Sequence, residues 1–216
     1  MNKIKKIIIL GGGQAAAYAA KEIKLIDVNS DITIISEEKN LPYERPPLSK
    51  DYILDKVLLN NFLFFSENFY KENNIKFLGS IKITKVDFDN KKITSSLNTY
   101  EYDRLLITTG CSNRHLKING EIVLPEENII YLRNFEESNN LKNKINKAKS
   151  ITIIGGGFIG LEIASSAVQK GKNITILERA SQLMGRVIPL EIANLIQDKH
   201  EAVGTKIHLN ADCFWV

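Results

Sequence analysis

Two glycine-rich turns carry the clearest chemistry in this sequence. They run from Gly11 to Ala16 and from Gly155 to Gly160, and each follows an apolar run and precedes a helix-like segment. In such a turn the first glycine permits a tight bend, and the second lets the backbone approach a pyrophosphate. The small residue at the third glycine position lets the helix pack closely on the strand. Free N–H groups at the helix start then face the phosphates. The two turns therefore predict two dinucleotide sites.

An acidic residue follows the second predicted strand of each candidate unit. Glu37 comes after the apolar segment 31–36, and Glu178 comes after segment 173–177. They lie 26 and 23 residues past the first glycine of their turns, near the spacing of about 20 residues expected for a carboxylate that holds a ribose 2′-OH. An ordinary strand-to-helix turn with an acid nearby by chance is the alternative for either copy alone. Two copies in the same context favour dinucleotide binding.

The elements that position these turns alternate between strands and helices. The apolar runs predict strands, whereas segments 14–24, 136–149, 158–170 and 189–200 have helical patterns. Pro47 suits the first turn of a helix that continues through Leu54. We predict an α/β fold with two Rossmann-like dinucleotide-binding units, the first in residues 1–114 and the second in residues 115–216. The second unit is expected to be incomplete, because the chain ends soon after Glu178.

Composition narrows the class of protein. The net charge is +4 and 44% of the residues are hydrophobic, but the lysines are scattered, which favours a solvated surface over a nucleic-acid groove. No segment approaches the roughly 20 apolar residues that span a bilayer, so we expect a soluble, cytoplasmic protein without membrane partners. Cys111 and Cys213 are isolated and the three histidines do not cluster. The sequence therefore predicts neither a disulfide framework nor a metal site.

A proline-containing segment, Leu41 to Lys50 (LPYERPPLSK), resembles one family closely. It is similar to the ferredoxin-reductase type of flavoprotein reductases that bind two dinucleotides. This group includes reductase components of ring-hydroxylating oxygenases, rubredoxin and putidaredoxin reductases, and apoptosis-inducing factor. The resemblance extends through residues 102–110, 131–133 and 155–162, together with Glu178. It implies an FAD-binding domain in residues 1–114, with FAD at the first glycine turn, and an NAD(P)-binding domain in residues 115–216, with NAD(P)H at the second. It also implies that the FAD unit is incomplete, because in the family the chain returns after the NAD domain to finish the FAD domain.

The resemblance also implies roles for individual residues. Lys50 reaches the flavin ring and pairs with Glu162 beside the nicotinamide, and these two are the expected catalytic residues. A solvated helix lysine and a first-turn acid are the alternatives for them. The expected FAD contacts are Gly11, Gly13, Gln14, Ala15, Glu37, Arg45, Lys50, Thr109 and Gly110. The expected NADH contacts are Gly155, Gly157, Phe158, Ile159, Gly160 and Glu178.

The function that this resemblance implies is electron transfer from NADH through FAD to a ferredoxin- or rubredoxin-type iron–sulfur protein. Glu178 disfavours the 2′-phosphate of NADPH, although the neighbouring Arg179 could accept that phosphate. Neither C-x4-C nor C-x-x-C occurs, which argues against dithiol chemistry. A catalytically inactive dinucleotide-binding remnant and a redox-sensing interaction protein are the alternatives. A dehydrogenase that binds only one NAD leaves the second glycine turn unexplained. The electron acceptor and the oligomeric state stay open.

Overall fold

The structure is a computed structural model that describes residues 4–115, 117–118, 121–122 and 129–211, so Cys213 lies outside the described residues. The chain packs as two compact units. Unit 1 comprises Met1–Glu44 and Leu59–Cys111, and unit 2 comprises Arg45–Leu58 and Ser112–Val216. Packing units and cofactor-binding domains are different divisions of a chain. The predicted domain boundary between residues 114 and 115 therefore stays a prediction.

Unit 1 contains a parallel sheet of four strands and an antiparallel sheet of three. The elements are β1 (Lys6–Leu10), α1 (Gln14–Ile26), β2 (Asp31–Ile35), α2 (Glu67–Glu72), β3 (Ile75–Leu78), β4 (Ile83–Asp87), β5 (Lys92–Ser95), β6 (Thr99–Glu101) and β7 (Arg104–Ile107), with a 3₁₀ helix at Leu59–Phe62. The parallel strands have the order β3-β2-β1-β7, and the antiparallel strands have the order β4-β5-β6. The central strand β1 pairs with β2 on one side and β7 on the other, so their carboxyl ends share one edge.

The core of unit 1 explains why α1 lies close to the sheet. Ile9, Ile32 and Ile34 are fully buried on the face that meets α1, which presents Ala16 and Ala20. Small side chains at these helix positions let the backbone of α1 approach the strands. Burial of each isoleucine contributes about 1.5–3 kcal/mol, so this interface holds α1 against the sheet.

Unit 2 contains a parallel sheet of three strands. The elements are β8 (Lys117–Ile118), β9 (Glu121–Ile122), α3 (Phe135–Lys147), β10 (Ser150–Ile154), α4 (Phe158–Gln169), β11 (Asn173–Leu177), α5 (Leu190–Ala202) and β12 (Lys206–His208). The parallel strands have the order β10-β11-β12. The core of the unit includes Leu161 and Ala164 of α4, packed with Ile174 and Ile176 of β11.

The predicted helix from Pro47 to Leu54 is wrong in its length. Only a 3₁₀ helix, Pro46–Ser49, forms, and Lys50 leaves the helical region with φ −123° and ψ −105°. The carbonyls of Leu48 and Ser49 accept hydrogen bonds from side chains of α3 and α4. These tertiary bonds occupy acceptors that a longer helix would have used, and the chain continues as turns.

The α/β fold with parallel sheets, predicted from the sequence, is confirmed. Among the described residues, no helix has the length and apolar character needed to cross a bilayer. The same residues contain no cluster of three or more His, Cys, Asp or Glu side chains that could hold a metal ion.

Candidate functional site

The first glycine turn connects β1 to α1 in unit 1. Gly11 has φ +113°, and its N–H donates to the Ile35 carbonyl at 2.8 Å. A Cβ atom at this position would lie 2.2 Å from the Thr108 carbonyl oxygen, so only glycine fits without displacement. A Cβ at Gly13 would meet nothing within 4 Å. The first glycine thus permits the tight packing, and open space adjoins the second.

That open space lies at the start of α1. Gly13 is the N-cap residue and provides no side-chain cap, and Gln14 and Ala15 are the exposed first residues of the helix. N–H groups in the first turn of a helix have no intrahelical acceptor and favour an anion. The turn therefore fits a pyrophosphate by both its space and its donors.

The other predicted FAD residues of unit 1 lie at the same edge of the sheet. Glu37 follows β2, is exposed, and has Lys82 Nζ at 3.8 Å from Oε1. Thr109 and Gly110 follow β7 and are exposed, just beyond Thr108, whose N–H donates to the Leu10 carbonyl at 2.7 Å. Carboxyl ends of neighbouring parallel strands are where α/β sheets bind ligands. The structure thus brings these residues together, while their roles toward FAD stay predictions.

The second glycine turn connects β10 to α4 in unit 2. Gly155 has φ +105°, and its N–H donates to the Leu177 carbonyl at 2.8 Å. A Cβ at Gly157 would meet nothing within 4 Å, whereas a Cβ at Gly160 would lie 2.2 Å from the Gly155 carbonyl oxygen. Here the third glycine allows the close packing, and the second again adjoins open space at a helix start.

Glu178 is held beside this second turn. Its Oε2 accepts from the Gly156 N–H at 2.6 Å, and its Oε1 accepts from the Ala180 N–H at 2.7 Å. A cleft of about 570 Å³ adjoins the carboxylate, and a volume of this size is typical of small-molecule sites. The cleft is lined by Gly157, Glu178, Arg179, Ala180, Ser181, Gln182, Met184, Gly185, Arg186 and Val187.

The proline-containing segment forms a second cleft in unit 2, of about 240 Å³. Lys50 Nζ lies 2.8 Å from Glu162 Oε1, so the ion pair expected between them is present. Arg45 lines the same cleft, and its Nη1 donates to the Arg133 carbonyl at 2.8 Å. Phe158 and Ile159, at the start of α4, also line it and are about half exposed. Lys50, which is expected to reach the flavin ring, and Glu162, which is expected beside the nicotinamide, thus share one cleft.

Other contacts hold the residues that follow Lys50 onto α3 and α4. Tyr52 Oη donates to Asn139 Oδ1 at 3.0 Å. The Asp55 carboxylate accepts hydrogen bonds from Lys170 Nζ at 2.6 Å and from Lys142 Nζ at 2.9 Å. These hydrogen bonds hold the pKa of the Asp55 carboxyl below its ordinary value of 3.8. Sequence reasoning missed Asp55, because nothing in the sequence indicates that two distant lysines converge on it.

The Asp55→Asn variant is expected to lose about 0.5–1 kcal/mol of unfolding free energy at pH 7, a small amount because Asp55 is 54% exposed and its pairs are screened. A folded-state pKa below the unfolded value stabilises the folded state above about pH 3.8, and this contribution is lost as the pH falls below that value. The difference between variant and unaltered chain should therefore shrink on acidification. Urea titrations at several pH values measure it, and a difference that is constant down to pH 3 would contradict the account.

Comparisons with known proteins agree with this geometry. Residues 5–213 match the family model of the pyridine nucleotide-disulphide oxidoreductases. A rubredoxin-NAD(+) reductase of Pseudomonas putida is 34% identical over 95% of the chain and 53% of its own length. The ferredoxin–NAD(+) reductase component of a 3-phenylpropionate/cinnamic acid dioxygenase, from Photorhabdus laumondii, is also 34% identical, over 95% of the chain and 51% of its own length.

Solved structures give the same result. The chain resembles the ferredoxin reductase of Rhodopseudomonas palustris with a TM-score of 0.87 and 33% identity, covering 95% of this chain and 50% of that one. It also resembles a chain of the covalent putidaredoxin reductase–putidaredoxin complex with a TM-score of 0.90 and 26% identity, covering 97% of this chain and 50% of the other. The chain spans about half the length of the curated relatives it matches. The match over residues 5–213 shows that it belongs to the pyridine nucleotide-disulphide oxidoreductase family.

Proposed function

We propose that this chain provides the FAD- and NADH-binding parts of a flavoprotein reductase that passes electrons from NADH to a ferredoxin- or rubredoxin-type iron–sulfur protein. The observation that carries the proposal is the pair of glycine turns, each with open space at its second glycine, Gly13 or Gly157. Relatives named as rubredoxin and ferredoxin reductases support the class of electron acceptor.

FAD is assigned to the first turn. The N–H groups at Gly13, Gln14 and Ala15 would bind its pyrophosphate, and Glu37 would accept hydrogen bonds from the ribose. Arg45 would contact the diphosphate through its planar guanidinium, and Arg133 holds that group in place through its carbonyl. When bound, FAD would supply the conversion of a two-electron hydride into single-electron transfers.

NADH is assigned to the cleft beside the second turn. Gly157, Phe158 and Ile159 stand where the pyrophosphate would meet the start of α4. The Glu178 carboxylate is fixed by two backbone N–H groups, so it cannot turn away from an incoming 2′-phosphate without losing them. The repulsion would amount to about 1–4 kcal/mol at about 4 Å. NADH is therefore the preferred nucleotide.

Lys50 and Glu162 have different proposed roles beside the flavin. The Lys50 ammonium would provide positive charge beside the flavin, where reduction adds negative charge. Glu162 holds that ammonium at 2.8 Å and fixes its position in the cleft. From its pyrophosphate at the start of α4, NADH would extend its nicotinamide into the cleft that Lys50 and Glu162 share with Phe158 and Ile159. A cytoplasmic location belongs to this proposal, because isolated cysteines suit a reducing compartment.

Visible spectroscopy of the purified chain, mixed with FAD and freed of excess, tests the proposal. We expect a yellow protein whose flavin absorbance is bleached by NADH without oxygen, and bleached more slowly by NADPH. Faster bleaching by NADPH would show that Arg179 and Arg186, which also line the cleft, dominate over Glu178. A colourless protein that retains no FAD would favour the dinucleotide-binding remnant.

A further inference from the structure

The Glu162 carboxylate has a second partner besides Lys50. Ser49 Oγ donates to Glu162 Oε2 at 2.5 Å, while Lys50 Nζ contacts Oε1. The hydroxyl has a single hydrogen, and its other acceptor in reach, the Pro46 carbonyl, is farther away at 3.5 Å. Ser49 is 3% exposed, whereas the Lys50 side chain is 46% exposed. The buried hydroxyl is thus the more fixed of the two partners.

Two buried serines from the neighbouring helices fix the backbone around Ser49. Ser166 Oγ of α4 donates to the Ser49 carbonyl at 2.8 Å, and Ser138 Oγ of α3 donates to the Leu48 carbonyl at 2.6 Å. The last carbonyls of a short helix have no internal donors, so these hydroxyls satisfy them. The residue immediately before Lys50 is therefore held at both its carbonyl and its side chain.

We propose that Ser49 is a positioning residue for the Lys50–Glu162 pair. Its hydroxyl holds one oxygen of the Glu162 carboxylate and thereby orients the other toward Lys50. A charge-assisted hydrogen bond of this kind is strong and directional, whereas the ion pair alone would leave a carboxylate free to rotate. The effect on electron transfer rests on the proposed function, but the effect on the ion pair does not.

The test measures how fast an acylating reagent labels Lys50, read by mass spectrometry on the chain without cofactors. Loss of one hydrogen bond should loosen the pair, so Ser49→Ala should raise the labelling rate of Lys50 about threefold. Ser49→Thr, which retains the hydroxyl, should restore the original rate. Ser165→Ala alters the exposed neighbour of Ser166 on α4 and is the matched control, with no change expected.

Repeating the labelling in a chain that carries a second substitution distinguishes a specific effect of Ser49 on the Lys50–Glu162 pair from a general loosening of the backbone around Lys50. In a chain carrying Glu162→Gln, Ser49→Ala should have no further effect on Lys50 labelling, because Ser49 acts through the carboxylate. An unchanged rate in Ser49→Ala alone, or an equal increase in both backgrounds, would overturn the proposal. If alanine prevents folding, Ser49→Cys fills the same space with a weaker donor and should give an intermediate rate; a rate equal to that of the unaltered chain would count against the proposal.

The same variants then separate this proposal from the proposed function. In the FAD-loaded chain, Ser49→Ala should slow flavin bleaching by NADH about threefold, and Ser49→Thr should not. If the unaltered chain retains no FAD, the proposed function fails while the labelling result still decides the role of Ser49.

Discussion

The Gly11→Ala variant is expected to lose about 3 kcal/mol or more of the free energy of unfolding. The φ of +113° is strained for any residue with a side chain. The added methyl would also lie 2.2 Å from the carbonyl oxygen of Thr108 and 2.6 Å from its carbonyl carbon. These backbone atoms cannot move away on their own, because the Thr108 N–H donates a hydrogen bond to the Leu10 carbonyl and holds the end of β7 against β1. Urea denaturation of the cofactor-free chain measures the loss.

Gly13→Ala is the matched variant two residues away. Gly13 has an ordinary φ of −95°, and a methyl there meets nothing within 4 Å, so the unfolding free energy should change by less than about 1 kcal/mol. The methyl would fill the space assigned to the pyrophosphate, and FAD affinity should fall about tenfold or more. Unchanged FAD binding in Gly13→Ala would contradict the assignment of this turn. Unchanged stability in Gly11→Ala would contradict the steric argument.

Lys50→Met should slow the reduction of bound flavin by NADH about tenfold or more. The substitution keeps an apolar stem of similar length and removes the charge, so it isolates the electrostatic contribution. Removal of a group aimed at developing charge commonly costs about a hundredfold or more in buried sites, and the 46% exposure of Lys50 reduces that figure here. Stopped-flow absorbance without oxygen gives the rate.

Lys56→Met is the control for Lys50→Met. Lys56 lies in the same segment, is 59% exposed, and pairs with Asp51 at the longer distance of 3.8 Å. It does not line the cleft that contains Lys50 and Glu162. Its loss should leave flavin reduction unchanged. A Lys50→Met chain that is reduced as fast as the unaltered one would remove Lys50 from the mechanism.

Local pattern predicted the elements well where apolar residues dominate. The helix expected over residues 14–24 is α1, Gln14–Ile26, and the one expected over 158–170 is α4, Phe158–Gln169. Their positions follow from glycine turns and apolar strands adjacent in sequence, which are short-range signals. The parallel pairing of β1 with β2 follows from the same strand–turn–helix–strand order.

The segment after the prolines shows where local pattern fails. Proline preferences correctly suggest a helical turn near Pro47, but they carry no information about where it ends. The end at Ser49 depends on hydroxyls of Ser138 and Ser166, about a hundred residues away in sequence. A serine in a helix that donates to a distant carbonyl looks the same in the sequence as one that faces solvent. The resemblance to a family suggested the pairing of Lys50 with Glu162, but the residues that support the pair required the structure.

Reduction of bound flavin by NADH is the decisive measurement of whether the two glycine turns bind FAD and NADH for electron transfer. The chain, loaded with FAD and freed of excess, is mixed with NADH in the absence of oxygen while the visible absorbance of the flavin is followed. We expect the chain to retain flavin that NADH bleaches, with the loss of retained flavin in Gly13→Ala as the internal check. A chain that retains flavin but keeps its full absorbance under NADH would contradict the claim that the two glycine turns serve one electron-transfer path.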